Sequence, residues 1–415
     1  MSGPLAGIRV LDVSRILAGP WAGQLLGDYG ADVVKVERPG TGDDTRVWGP
    51  PWLGGDGNGE AAYFLAANRN KRSITVDLGS PDGQQVLRDL AGHADVLIEN
   101  FRVGTMARHG LAAEDLCRAN PRLIYCSITA YGQQGSRAQE PGYDAMIQAR
   151  AGLMSITGPP QADGGGPQKV GVAVADIMAG MYAVTAILAA LQERERSGQG
   201  QLIDVPLYDS QVAWLANQAL NFLIGGEVPA RLGTAHPNLV PYQVFATGDG
   251  YLMLAVGNDR QFRACAACMG VAELADDPRF LRNRDRVSNR EALVGILSRV
   301  FAGDSTSACL SRLADAGVPA GPINSVADAL TDAYAEERRL VRRMAHPLDR
   351  DLPTVANPVR FSRTPVCYET APPLLGQQTQ GILRDWLGYR DEAIDSLTAP
   401  GAACNPQPHD ERPDG

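Results

Sequence analysis

The chain has no excess of positive charge: 38 Lys and Arg stand against 47 Asp and Glu, a net charge of −9 over 415 residues. This weighs against a phosphate-rich polymer or an anionic membrane surface as partner, so an anionic ligand must be met by a local group of Arg and Lys. Cysteine is sparse and odd in number, with seven scattered from Cys117 to Cys404. That is no secreted disulfide framework, and a reduced cytosol is the default. Cys265 and Cys268 form a CxxC, but no second ligand pair lies nearby and the five histidines are dispersed. They read as small apolar residues on a helix, and no metal site is expected. The N-terminal MSGPLAGIRVLDVSR lacks the basic flank and apolar run of a signal peptide. The longest apolar stretch, Ile177 to Leu191, is 15 residues, short of the roughly 18 needed to cross a bilayer. A soluble cytoplasmic protein with no nucleic-acid or membrane partner is the expectation.

What is present is ordinary globular material, 44% apolar and 20% charged, and the length suggests two or three domains. IRVLDVS, ADVVKVE, RSITVDL, DVLIEN and RLIYCSIT read as strands separated by helical patterns. Runs rich in β-branched residues in that alternation mean βαβ units and a parallel sheet covered on both faces, hence an α/β fold. A Gly/Pro-rich loop (152–171) precedes a long helix from Ile177 to about Arg196. PYQVFATGDGYLMLAVG carries a GDG turn between two strand-like runs, a hairpin signal, and opens a smaller α+β domain. The boundaries read as a large domain over 1–224, a small domain over 225–325, a segment over 326–397 returning to the large domain, and a disordered tail over 398–415.

Basic residues stand at or beyond the expected carboxyl ends of strands, where open α/β sheets bind ligands: Arg38 after the second strand and Arg108 after the fourth. LAGPWAG after the first strand is not GxGxxG, and tight helix–strand packing explains its glycines as well as a dinucleotide does. Asp176 is the only charge between Lys169 and Glu193. One reading makes it the N-cap of the long helix. The other begins from the same place: a poorly hydrated carboxylate among small residues can attack an activated carbonyl, and a helix N-terminus stabilises its charge.

Several stretches carry a resemblance: PLAGIRVLDVSRILAGPWAGQLLGDYGADVVKVERPGTGDDTR, NRNKRSITVDL, DVLIENFRVGTMARHG, NPRLIYCSITAYG, PGYDAMIQARAGLMSITG, VADIMAGMYAVTAILAALQERERSGQGQLIDVPLYDS, GVPAGPINS and PPLLGQ. Together they resemble the family III CoA-transferases. The resemblance implies a Rossmann-like large domain, a smaller α+β domain and an interlocked homodimer. It places Asp176 as the catalytic residue, forming an aspartyl anhydride and then an aspartyl-CoA thioester. CoA or acyl-CoA is then a substrate, with no permanently bound cofactor and no metal. By matching position the CoA contacts are Ala18, Arg38, Val76, Asp77, Leu78, Asn100, Phe101, Arg108 and Tyr143.

Within that family Leu17 stands where formyl-CoA transferases have Gln, which disfavours a formyl/oxalate specialist. Tyr143 stands where the racemase branch has the His that serves as one of its two bases, which disfavours a 2-methylacyl-CoA racemase or epimerase. RLGTAHPNLVPYQVFATGDGYLMLAVGNDRQF is similar to succinyl-CoA-dependent dicarboxylate transferases of the glutarate and hydroxymethylglutarate type. A donor such as succinyl-CoA and an acceptor such as glutarate, hydroxymethylglutarate, malate or itaconate follow. Arg46, Arg137, His236 and Asn238 are candidates for the second carboxylate. A non-catalytic CoA-binding protein is the alternative of another class.

Overall fold

The computed structural model describes residues 3–55 and 59–406. The chain divides into two compact units, one of Met1–Gly152, Gly171–Ala219 and Glu336–Gly415, the other of Leu153–Val170 and Leu220–Ala335.

The first unit is built on six parallel strands: β1 (Arg9–Asp12), β2 (Asp32–Glu37), β3 (Lys71–Thr75), β4 (Val96–Glu99), β5 (Ile124–Thr129) and β6 (Leu202–Pro206). Their order across the sheet is β3-β2-β1-β4-β5-β6. This is the doubly wound order, whose ligand crevice lies at the carboxyl ends between β1 and β4, where the winding reverses. Successive side chains go to opposite faces, and both faces are covered. Val10, Val96 and Ile124 enter one core with α1 (Ala18–Asp28), α4 (Asp144–Arg150) and α5 (Val174–Ser197). Leu11, Leu97 and Ile74 enter the other, with α2 (Pro81–His93), α3 (Ala113–Ala119) and the C-terminal α7 (Thr379–Asp385) and α8 (Asp391–Thr398). α6 (Leu207–Ala213) follows β6 directly.

Charges are buried along the sheet as well. Lys71 Nζ donates to Asp12 Oδ2 (2.8 Å), Pro20 O (2.8 Å) and Asn68 Oδ1 (2.9 Å). Lys35 Nζ donates to Asp43 Oδ2 (2.9 Å) and Ser14 O (3.0 Å). All four charged side chains are fully buried. Burial alone would raise the pKa of Asp12, yet the charges of Lys71 and Lys35 hold it below the usual carboxylate range.

The free edge of β3 is closed by the returning C-terminus. Ser73 N–H donates to Gln378 Oε1 (2.8 Å), Gln378 N–H to Ser73 O (3.0 Å), and Thr75 Oγ1 to Cys404 O (2.8 Å). The segment expected to be a disordered tail from 398 is therefore packed as far as Pro406, with Cys404 buried. Its backbone groups satisfy an edge strand that would otherwise be unpaired. Residues 407–415 lie outside the described residues.

α5 is 24 residues long with a mean hydropathy of 1.9 over its most apolar window, enough by length and composition to cross a membrane. The sequence count of 15 apolar residues stops short of that. Half of the window is buried, and the helix packs on α1, α4, α6, β5 and β6, so core packing accounts for its composition.

The second unit has a three-stranded antiparallel sheet of Tyr242–Ala246, Tyr251–Ala255 and Ala320–Pro322, with the GDG turn joining its first two strands. Its core of Phe245, Phe262, Leu297, Phe301 and Leu313 includes Cys265, whose thiol burial pushes up. Cys265 thus behaves as an apolar residue. Compared with the expected 225–325, this unit also takes in the Gly/Pro-rich segment. Arg231 donates to Pro159 O and Gly165 O (both 3.2 Å), and Gly233 N–H donates to Gly158 O (3.1 Å).

Lys71→Ala removes the closest cation from a buried Asp12. The expected outcome is a loss of about 3–5 kcal/mol in urea unfolding, whereas a loss below about 1 kcal/mol would show that the pair is dispensable.

Candidate active site

Asp176 is the third residue of α5, not its cap. The cap position is Ala173, and no side chain from that position closes the helix end. The carboxylate of Asp144, the first residue of α4, does so from outside: its Oδ1 accepts from the N–H of Ala175 (2.8 Å) and of Asp176 (3.4 Å). Its Oδ2 accepts from Gln148 Nε2 (2.7 Å). The N-cap reading of Asp176 is corrected here: the orphan N–H groups of the first turn are met by a neighbouring helix, which leaves the Asp176 carboxylate to face a cavity. One turn on, Gly180 sets how closely α5 lies on α1, because a Cβ there would stand 2.7 Å from Ala18 O. Asp176 is part-buried. Burial, with the negative charge of Asp144 beside it, pushes its carboxyl up to about 7.

Two cavities open at the carboxyl ends of the strands. The larger, about 350 Å³, is lined by Val13, Arg15, Lys35 to Arg38, Gly42, Asp43, Val76 to Gly79, Phe101, Thr105 and His109. The smaller, about 190 Å³, has Asp176 on its wall with Arg15 to Ala18, Asn100 to Val103, Ile128 to Ala130, Ala138, Glu140 to Tyr143 and Leu207. Arg15 and Phe101 line both, so the two adjoin. The Arg15 guanidinium lies over the Phe101 ring (5.5 Å) and pairs with Asp44 (2.9 Å), which Arg38 also approaches (3.7 Å).

Among the candidate CoA contacts, Arg38, Val76, Asp77 and Leu78 line the larger cavity and Ala18, Asn100 and Tyr143 the smaller, with Phe101 in both. Asn100 also clamps the backbone of Arg15, accepting from its N–H (2.8 Å) and donating to its O (2.7 Å). Arg108 is exposed and outside the lining, bonded to Thr105 Oγ1 (3.0 Å) one turn before it.

The four candidates for a second carboxylate are spread out. Arg46 is buried, held by Glu37 (2.7 Å), Glu60 (2.6 Å) and the carbonyl of Pro373 (3.1 Å). Its donors are committed to the scaffold, which corrects its assignment to substrate. Arg137 is exposed beside Glu140 (3.9 Å) and over the Tyr131 ring (5.7 Å). His236 and Asn238 belong to the second unit. There His236 Nδ1 accepts from Asn238 N–H (3.0 Å), and Arg290 donates to the carbonyls of His236 (2.8 Å) and Pro237 (2.9 Å). Burial and the Arg290 charge lower the pKa of His236.

Sequence reasoning missed Asp144, Arg15, Tyr63 and Glu99. Asp144 was within reach as an acid opening a helical pattern in GYDAMIQ. Tyr63 faces the same carboxylates: burial first, then the charges of Asp176, Asp144 and Asp43, raise its phenol. Glu99, buried at the end of β4, accepts from Phe101 N–H (2.8 Å), and burial pushes its carboxyl up to about 7. Nothing in DVLIEN distinguishes that glutamate from a surface one. Among the described residues no group of three or more His, Cys, Asp or Glu is placed to hold a metal ion.

A doubly wound sheet with a two-part groove at its carboxyl ends and a carboxylate on the groove wall is the layout of a nucleotide-ligand enzyme with a carboxylate at its reactive end. The family model for CoA-transferase family III matches residues 5–379, and the chain belongs to that family: it is a family III CoA-transferase, with CoA thioesters as its substrates. It is 45% identical to a succinyl-CoA:glutarate CoA-transferase of Mus musculus, over 96% of this chain and 90% of that one. It is 48% identical to a succinate–glutarate CoA-transferase of Agrobacterium fabrum, over 92% and 95% respectively. Among solved structures, a CAIB/BAIF family protein from Brucella suis superposes with a TM-score of 0.82 at 45% identity, covering 93% of this chain and 100% of that one.

Asp176 binds its proton more tightly folded than unfolded. The stability this contributes is fully present below the ordinary value of 3.8 and is lost as the pH rises through about 7. Asp176→Asn is therefore expected to stabilise the protein at pH 8 by on the order of 2 kcal/mol, with no gain at pH 4. Thermal unfolding at the two pH values checks this, and an equal effect at both would contradict it.

Proposed function

We propose that this protein transfers CoA from succinyl-CoA to a short dicarboxylate, with glutarate the leading acceptor, and that Asp176 is the covalent nucleophile. The observation that carries this reading is Asp176 itself, a part-buried carboxylate on the wall of a groove whose other end is lined by Arg38 and the Val76–Leu78 strand end. The names of the Mus musculus and Agrobacterium fabrum relatives support the acid pair. The nucleotide end of CoA occupies the larger cavity, where its phosphates compete with Asp44 for Arg15 and Arg38. The thioester reaches Asp176 in the smaller one.

The chemistry balances without an outside reagent. An oxygen of Asp176 attacks the donor thioester carbonyl, the C–S bond breaks, and CoA leaves as thiolate from a mixed anhydride. The thiolate attacks the aspartyl carbonyl, forming the aspartyl-CoA thioester and releasing the donor acid with one oxygen taken from Asp176. The acceptor carboxylate then attacks this thioester, and the returning thiolate takes the acceptor's acyl group, restoring the aspartate with one oxygen from the acceptor. For the second carboxylate of the acceptor, Arg137, His236 and Asn238 are the candidates. A cytoplasmic homodimer completes the proposal. Leu223 (72% exposed), Ile224 (82%) and Val228 (78%) are large apolar side chains left exposed in a single chain, which a second copy would cover.

Asp176→Ala is expected to lower CoA exchange by roughly 10³-fold or more while the protein still unfolds in one cooperative transition, no less stable at pH 8 than wild type. The assay is mass spectrometry of succinyl-CoA incubated with a panel of mono- and dicarboxylic acids. Full turnover by the variant would sink the nucleophile, and wild-type transfer to monocarboxylates alone would sink the dicarboxylate reading. Light scattering of the native protein is expected to give the mass of two chains, and a monomer would contradict the dimer.

A further inference from the structure

Asp144 is not a conventional helix cap. The first turn of α5 has no capping side chain of its own, and the acceptor comes from the first residue of a different helix, 31 positions earlier in sequence. That helix is locked in place: Ile147 and Ala151 share a core with Ala175 and Ala179, and Gln148 holds the second carboxylate oxygen of Asp144 (2.7 Å). Two constraints therefore fix the start of α5, this carboxylate at its first turn and the close approach of Gly180 to Ala18 O one turn on. Asp176 lies between them.

We propose that Asp144 is a positioning residue of the transfer reaction: its carboxylate anchors the first turn of α5, and with it Asp176, while placing a like charge beside the nucleophile. The proposal rests on the reading of Asp176 as nucleophile. Without Asp144, the nearest carboxylate for the freed N–H groups is that of Asp176, which would turn back from the cavity to meet them. The like charge has a second effect. A helix N-terminus alone would favour the ionised form and weaken the carboxylate as a nucleophile, and a negative neighbour opposes this.

The groups around Asp176 can be named element by element. α4 brings Asp144, with Arg150 at its far end paired to Glu140. The short helix Ala62–Leu65 brings Tyr63, α6 brings Tyr208 and Asp209, and the cavity wall brings Arg15, Arg102, Glu140 and Tyr143. α1 contributes only Asp28, at its far end. Of these, Asp144 is the one whose charge adds to burial in raising the carboxyl of Asp176.

The test compares kcat and kcat/KM between about pH 5 and 9 for the full-length wild type, Asp144→Asn and Asp144→Ala, with thermal melts as a folding check. Asn keeps an acceptor oxygen for the two N–H groups and removes the charge. Its acidic limb is expected to move down by about one pH unit while kcat at pH 8 stays within about fivefold of wild type. Ala removes both, and kcat is expected to fall by about tenfold or more. An Asn limb identical to wild type, or an Ala variant with wild-type kcat, would overturn the proposal. If Asn does not fold, Asp144→Glu keeps the charge but not the reach, and wild-type kcat in that variant would overturn the anchoring role. Asp176→Ala run alongside separates the two readings: its full turnover rejects the nucleophile, whereas its inactivity with an unmoved Asn limb rejects only the part given to Asp144.

Discussion

Asp12, Lys71, Lys35 and Asp43 are shut away from solvent within the parallel sheet and beside its carboxyl edge, and each is paired. Next to them Glu37 holds Arg46 through both of its carboxylate oxygens and accepts from Ser73 Oγ (2.6 Å). Charges at this depth persist only when they are paired and hydrogen-bonded, so the backbone around them has little freedom. Ser14 O on Lys35, Pro20 O on Lys71 and Pro373 O on Arg46 tie the loop after β1, the start of α1 and the returning C-terminal segment to this network. Lys35, Glu37 and Asp43 also line the larger cavity. The groove thus has a wall whose backbone is held by buried, paired charges, which suits a ligand that must be held in one orientation over a long span.

The reactive end is governed by a different constraint. α5 carries no charge between Asp176 and Glu193, and its first turn lies beside the smaller cavity, with Asp176 on the cavity wall. Asp144 meets the exposed N–H groups there, so Asp176 is spared that task and faces the cavity. The arrangement costs stability at neutral pH, because an ionised Asp176 is poorly hydrated and stands beside a like charge. Storing unfavourable electrostatics at one carboxylate is characteristic of functional sites and here supports the assignment of Asp176.

The sheet was legible because parallel strands buried on both faces read as continuous apolar runs, as in IRVLDVS and ADVVKVE. Asp176 was legible as an isolated charge in a long apolar stretch, though its relation to the helix end was misread, since a cap supplied from 31 residues away leaves no local signal. Arg46 shows the reverse failure. A free arginine and one committed to Glu37, Glu60 and Pro373 look alike in sequence, because the partners come from three separate segments. The packing of the C-terminus as far as Pro406 was hidden in the same way: its Pro/Gly-rich composition suggests disorder, but the open edge of β3 supplies the hydrogen bonds that order it.

The central claim, that Asp176 carries the acyl and CoA groups covalently, implies exchange of its own oxygen atoms with those of the acids. Turnover of succinyl-CoA with glutarate labelled with heavy oxygen in its carboxylates, followed by proteolysis and mass spectrometry, reads this directly. Heavy oxygen should appear in the Asp176 side chain and accumulate with successive turnovers. Sustained transfer of CoA to glutarate with no label on Asp176 would contradict the account.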